Sequence, residues 1–178
     1  MDNPSVIIQQ TTTDFQPFMS LMLNTVVALN AQQILEFGTD VGDSGRIFTE
    51  GLKQTGGELT TVDIRECSQT WAEGHPRVHF VVQDSRLFSW SQPIDLLFLD
   101  DHFEEMDIYA HLIYELERFG VWVRPGGYIL IHDTSHTVYG PGIIRAIRTW
   151  CLQRKLRWTE DVQGQGLGMI QVSRALEH

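Results

Sequence analysis

An α/β fold, a seven-stranded and mostly parallel sheet with helices on both faces, is predicted by three observations. Short apolar runs alternate with helical patterns from residue 31 to the end, as in a parallel sheet covered on both sides. The apolar run Ile34-Leu35-Glu36-Phe37 leads straight into Gly38-Thr39-Asp40-Val41-Gly42-Asp43-Ser44-Gly45, a glycine turn followed by the first turn of a helix. Each strand that should reach one common crevice ends in an acidic residue or delivers one just beyond.

Residues 17–29 open with Pro17 at a first helical position and carry Phe18, Leu21, Met22, Val26 and Leu29 at helical spacing. Strand one is Ile34 to Phe37. A helix from about Asp43 to Lys53 is closed by Gly56-Gly57. Strand two is Glu58 to Asp63, and a poorly patterned helix spans about Glu66 to Glu73 before Gly74 and Pro76. Strand three is Val78 to Val82, followed by a short helix from about Ser85 to Trp90 and strand four from Ile94 to Leu99. The clearest helix runs from Glu104 to Phe119, with a stripe of Ile108, Tyr109, Leu112, Ile113, Leu116 and Phe119. Gly120 ends it, and strand five, Tyr128 to Ile131, follows Pro125-Gly126-Gly127. Residues 141–153 form a helix that starts with proline. Leu156 to Glu160 and Leu167 to Val172 pair as an antiparallel hairpin across Gln163-Gly164-Gln165-Gly166.

The chain has 178 residues, enough for one sizeable core, and its apolar fraction of 42% is that of a globular protein. A net charge of −10 argues against a nucleic-acid partner, which would need clustered Lys and Arg; the one basic cluster, Arg154-Lys155-Leu156-Arg157, reads as a solvated helix end. Cys67 and Cys151 lie far apart, as in a reduced cytoplasmic protein. No signal peptide and no membrane span is expected, and Leu176-Glu177-His178 resembles the start of an expression tag.

The glycine turn excludes one ligand class. A dinucleotide fingerprint would need glycines at positions 40 and 43, and both are Asp. Glu36, two residues before Gly38, would repel a pyrophosphate and tolerate a cationic ligand such as a sulfonium. Asp63, 25 residues after Gly38, is placed to accept hydrogen bonds from a ribose diol, or else to cap the next helix. Strand three delivers Asp84 and Ser85, strand four Asp100, Asp101 and His102, and strand five His132, Asp133 and Thr134.

The acid-x-Gly-x-x-x-Gly turn resembles the S-adenosylmethionine (SAM) loop of class I methyltransferases, and the element order matches that family over essentially the whole chain. Phe98-Leu99-Asp100-Asp101-His102-Phe103 and Arg124-Pro125-Gly126-Gly127-Tyr128-Ile129-Leu130-Ile131-His132-Asp133-Thr134 resemble two blocks of a particular group within it. That group holds small-molecule O-methyltransferases of the catechol type, those acting on macrolide sugars, and cephalosporin-hydroxylase-like proteins. Tyr139-Gly140-Pro141-Gly142-Ile143 and Gly166-Leu167-Gly168-Met169-Ile170 also fit. Its first block is commonly I-D-G-D-H-x-Y, so this chain is one residue short between Asp100 and His102.

The resemblance implies a Rossmann-like sheet of order 3-2-1-4-5-7-6 with strand seven antiparallel. It implies a SAM-dependent enzyme that methylates a small-molecule acceptor, at a hydroxyl oxygen. The cofactor would lie against Glu36, Gly38, Thr39, Gly42, Ser44, Asp63, Asp84, Ser85 and Asp100, with the adenine near Asp84 and Ser85. A hydroxyl acceptor needs a general base or a metal that lowers its pKa. His102 is the candidate base, with Asp100 beside it in the catalytic pair. Asp100 and Asp133 are the candidate ligands for Mg2+ if the enzyme is metal-dependent. Catechol-type enzymes often carry Asn after the second Asp, where this chain has Thr134; His132 reads as a core histidine rather than a ligand. His136, Tyr139 and the Gly140-Pro141-Gly142 turn would edge the acceptor site. Residues 1–30 would be an N-terminal segment and helix, 31–175 the SAM-binding domain, and 176–178 the tag remnant. A homodimer fits so short a chain. The alternatives are a non-catalytic SAM-binding or orphan α/β module, and an NAD-linked oxidoreductase.

Overall fold

A computed structural model describes residues 15–66, 71, 75–101 and 107–176. Helices α1 (Met19–Leu29), α2 (Asp43–Thr55), α3 (Ile108–Arg118) and α4 (Gly140–Arg154) surround seven strands. These are β1 (Gln33–Phe37), β2 (Glu58–Asp63), β3 (Val78–Val82), β4 (Ile94–Leu99), β5 (Val123–His132), β6 (Arg157–Asp161) and β7 (Leu167–Gln171). The sheet order is β3-β2-β1-β4-β5-β7-β6, as the resemblance implied. The first five strands are parallel, and β7 runs antiparallel between β5 and β6.

The central strands are apolar because both faces are covered. Every residue of β4 is buried. One face packs on α3 and α4 through Leu97, Leu99, Leu112, Leu116, Ile143, Ile147 and Trp150. The other packs on α1 and α2 through Phe18, Met22, Val26, Ile47, Phe48, Leu52 and Phe98. The segment 1–30 thus contributes α1 to the second face, and Leu176 packs against the first.

Several element boundaries move for local reasons. Pro17 lies in a turn, and α1 begins at Met19. The expected helix 85–90 is a single turn, in which the amides of Leu87 and Phe88 both donate to the Asp84 carbonyl. It does not propagate, because neighbouring carbonyls go to α3 side chains. Arg86 O accepts from Tyr114 Oη and Arg118 Nη1, and Phe88 O from Arg118 Nη2. Helix α3 begins at Ile108 among the described residues, with Asp107 outside helical geometry and its Oδ1 accepting from the Ala110 amide at 3.1 Å; the expected start at Glu104 lies outside the described residues. Strand β5 starts at Val123, and its register against β4 shifts between Ile94 and Leu96, which accommodates Pro125-Gly126-Gly127 inside the strand. The expected helix 66–73, Cys67 and His102 fall wholly or largely outside the described residues.

Candidate active site

A cavity of about 490 Å³ opens at the carboxyl ends of β1 to β4. Its lining takes Phe37, Gly38 and Asp40 from the β1 turn and Val62, Asp63, Ile64 and Arg65 from β2. Gln83, Asp84, Ser85 and Arg86 follow β3, Asp100 and Asp101 follow β4, and His111 and Tyr139 complete it.

The β1 turn is built on Gly38. Its φ is +91°, and a Cβ there would stand 2.3 Å from the Asp100 carbonyl oxygen. No other residue lets the ends of β1 and β4 come this close. Asp63 then holds the turn in shape. Its Oδ2 accepts from the amides of Thr39 (3.0 Å) and Asp40 (3.2 Å), and Oδ1 accepts from the Arg65 amide at 2.8 Å. Arg65 Nε also lies 3.8 Å from Oδ1, and the carboxylate stands at the cavity wall.

Four of the expected cofactor residues do not line the cavity. Glu36 is fully buried, and its Oε1 accepts from Ser44 Oγ at 2.5 Å, tying β1 to the start of α2. Burial pushes the Glu36 carboxyl up to about 7. Thr39 Oγ1 meets Thr61 Oγ1 at 2.5 Å. Gly42 faces the Trp71 indole, which a Cβ would approach to 2.0 Å. Glu36, Thr39, Gly42 and Ser44 therefore shape the turn from behind, whereas Gly38, Asp63, Asp84, Ser85 and Asp100 meet the cavity. Asp84 is gripped by the Arg86 side chain and amide, which hold its carboxyl down at about 2.

Two clusters of ionisable groups meet at the β4 end. The first brings Asp100 and Asp133 together and adds His132. Its Nδ1 is 3.1 Å from Asp100 Oδ1 and 3.4 Å from Asp133 Oδ1. The imidazole is buried and stacked on Phe15, with centroids 4.5 Å apart. Asp133 reaches the cluster through a left-handed backbone, φ +63°. Burial pushes the Asp100 carboxyl up, against the pull of His132. Thr134 is buried behind this cluster, with Gly166 packed against its Oγ1. The two carboxylates and the imidazole nitrogen lie within 4.8 Å of one another, a donor set that fits a divalent cation.

The second cluster is Asp101, His111 and Glu115. Burial would depress the His111 imidazole, but the Asp101 and Glu115 carboxylates beside it outweigh that and push it up to about 10. Burial and the Asp101 charge push the Glu115 carboxyl up. Sequence reading missed His111. The signal was there in a histidine and a glutamate spaced i, i+4 on α3, one turn apart on the same helix face.

A methyltransferase-domain family matches residues 35–134, more than half of the chain. The chain belongs to that family, and it is an enzyme of the class I SAM-dependent methyltransferase fold. The cofactor-bound protein Rv0187 from MTB superposes with a TM-score of 0.71 at 17% identity, over 89% of this chain and 81% of that one. The O-methyltransferase from Bacillus cereus in complex with SAH gives 0.68 at 18% identity, over 94% and 89%. The O-methyltransferase TomG from Streptomyces achromogenes, involved in tomaymycin synthesis and in complex with SAM, gives 0.67 at 18% identity, over 88% and 80%. No curated protein matches the sequence. Among the described residues no helix is long and apolar enough to cross a membrane.

Proposed function

We propose that the protein transfers a methyl group from SAM to a hydroxyl oxygen of a small molecule, with a divalent cation held by Asp100, His132 and Asp133. The observation that carries this reading is the convergence of those three donors beside a cavity bordered by Gly38, Asp63 and Asp84. Solved structures of the same fold, named as O-methyltransferases with SAM or SAH, support it.

The bound cofactor supplies an electrophilic sulfonium methyl, and a bound cation such as Mg2+ lowers the pKa of an acceptor hydroxyl. The chain's own residues do the rest. Asp63 at the cavity wall would accept from a ribose hydroxyl, and Ser85 and Asp84, which also line the cavity, would border the adenine. Asp100, His132 and Asp133, with His132 Nδ1 facing both carboxylates, would hold that cation. His102, which lies outside the described residues, is the candidate to take the hydroxyl proton. Tyr139 edges the acceptor side, and its neighbour His136 stacks on it with centroids 4.4 Å apart.

Calorimetry with S-adenosylhomocysteine, with and without Mg2+, tests the reading. The wild type is expected to bind, and Asp63→Ala to lose at least about tenfold in affinity, about 1.4 kcal/mol. Asp133→Asn should leave cofactor binding intact and abolish any Mg2+ effect. Failure of the wild type to bind under either condition overturns the proposal.

A further inference from the structure

Asp101, His111 and Glu115 form a cluster that the methyl-transfer chemistry does not use. Asp101 follows the end of β4, and His111 and Glu115 sit one turn apart on α3. Asp101 and His111 line the cavity, whereas Glu115 has no exposed surface at all. His111 Nε2 faces three carboxylate oxygens at once. Asp101 Oδ1 and Oδ2 are 3.2 and 3.1 Å away, and Glu115 Oε1 is 3.3 Å away.

One imidazole N–H cannot serve three acceptors. The separations also exceed the 2.7–2.9 Å or so of a charge-assisted hydrogen bond. Neither Glu115 oxygen makes a hydrogen bond of good geometry among the described residues, although the carboxylate is wholly buried and aimed at His111. The distances have another meaning. Two ligand atoms each about 2.1 Å from one metal ion, at angles of about 90 to 110°, stand about 3.0 to 3.4 Å apart. All three separations fall in that range.

We propose that Asp101, His111 and Glu115 form a second divalent-cation site, distinct from Asp100–His132–Asp133, that takes a zinc-like transition ion in preference to Mg2+. The imidazole nitrogen decides the class of ion, since Mg2+ favours oxygen donors. Two carboxylates balance the ion's charge, so a bound ion replaces the protons that otherwise hold these groups together. Two of the three ligands face the cavity, so the ion's remaining coordination positions open toward an oxygen of a bound ligand.

Cobalt(II) is the probe, because its visible absorption reports nitrogen and oxygen ligation. EDTA-stripped protein is titrated with Co2+, and bound equivalents are counted by dialysis and elemental analysis. Asp133→Asn weakens the first cluster and should still bind one equivalent. Glu115→Gln and His111→Asn should each lose one equivalent relative to wild type, or weaken it at least about tenfold. Zn2+ should displace the Co2+ retained by Asp133→Asn, and excess Mg2+ should not. Circular dichroism verifies the fold of each variant, and His111→Asn, at the cavity wall, carries the test if Glu115→Gln does not fold. The proposal is overturned if Asp133→Asn binds no Co2+, if neither second-cluster variant changes binding, or if Mg2+ displaces the ion as well as Zn2+ does. Co2+ binding here requires no cofactor, so its failure leaves the methyl-transfer reading standing.

Discussion

Glu36 is a carboxyl with no access to water, held between β1 and α2 by the Ser44 hydroxyl. Its folded pKa of about 7 lies above the ordinary 4.5, so the folded chain keeps a proton that the unfolded chain has already released between those values. Folding stability therefore falls as pH rises through that window and levels off above it. The full loss is on the order of 3 kcal/mol. Glu36→Gln keeps the acceptor for Ser44 and cannot ionise. Urea unfolding at pH 5, 6, 7 and 8 should show wild type losing stability relative to Glu36→Gln as pH rises, with the change complete by about one unit above the folded pKa. Parallel pH profiles for the two proteins would refute the burial argument. The same residue explains why an acid stands in the turn without lining the cavity. Its side chain belongs to the α2 face of the sheet, while the cavity lies beyond the strand end.

At the scale of elements, α1 is held on α2 by a close approach that only glycine permits. Val26, fully buried on α1, packs where Gly51 of α2 has no side chain, and a Cβ at 51 would stand 2.7 Å from Val26 Cγ1. Alanine would gain about 1 kcal/mol of helix propensity over glycine, but overpacking typically costs about 1–3 kcal/mol. Gly51→Ala alone is therefore expected to destabilise by about 1 kcal/mol or a little more. Val26→Ala removes Cγ1 but keeps the Cβ, which would stand 2.8 Å from the new one, so in that background Gly51→Ala should cost less than in the wild type. A double-mutant cycle by urea unfolding reads this difference; equal effects in both backgrounds would contradict the packing account. The residue that makes Gly51 obligatory lies on another helix, so helical periodicity alone could not show the need for it.

Across the whole molecule, Asp95 closes the end of the sheet opposite the cavity. Buried at the start of β4, its Oδ2 accepts from the amides of Gln32 and Gln33 at 2.7 and 2.8 Å. Its Oδ1 accepts from Arg124 Nε of β5, and Arg124 in turn donates to the Leu29 carbonyl that ends α1. One carboxylate thus joins α1, β1, β4 and β5. Asp95→Ala leaves two amides and a half-buried guanidinium without their acceptor, which should cost about 3 kcal/mol. Cofactor affinity of the folded fraction should be unchanged, because the site lies at the other end of the strands. Thermal unfolding and S-adenosylhomocysteine calorimetry on this variant separate the two effects. A loss of affinity without a loss of stability would disprove this division of labour.

The chain's order of elements, the Gly38 turn, the final antiparallel hairpin and the acids at the strand ends were all legible in its residues. Each is a local property: apolar runs that demand burial on both faces, glycine where φ is positive, and the spacing between turns. The resemblance supplied the strand order, and the structure agrees with it. Other features depended on contacts between residues distant in sequence. Arg118 spends the carbonyls that a helix after β3 would need. Among the expected cofactor residues, Glu36 and Ser44 turn to each other instead of to the cavity. His132, read as a core histidine, is buried and also faces two carboxylates, because Asp100 and Asp133 arrive from neighbouring strands. Asp101 meets His111 and Glu115 only because α3 packs beside the end of β4. Sequence by itself determined which chemistry each segment could offer. Tertiary structure decided which groups share a site, because side-chain direction and strand register are settled by packing over long separations in the chain.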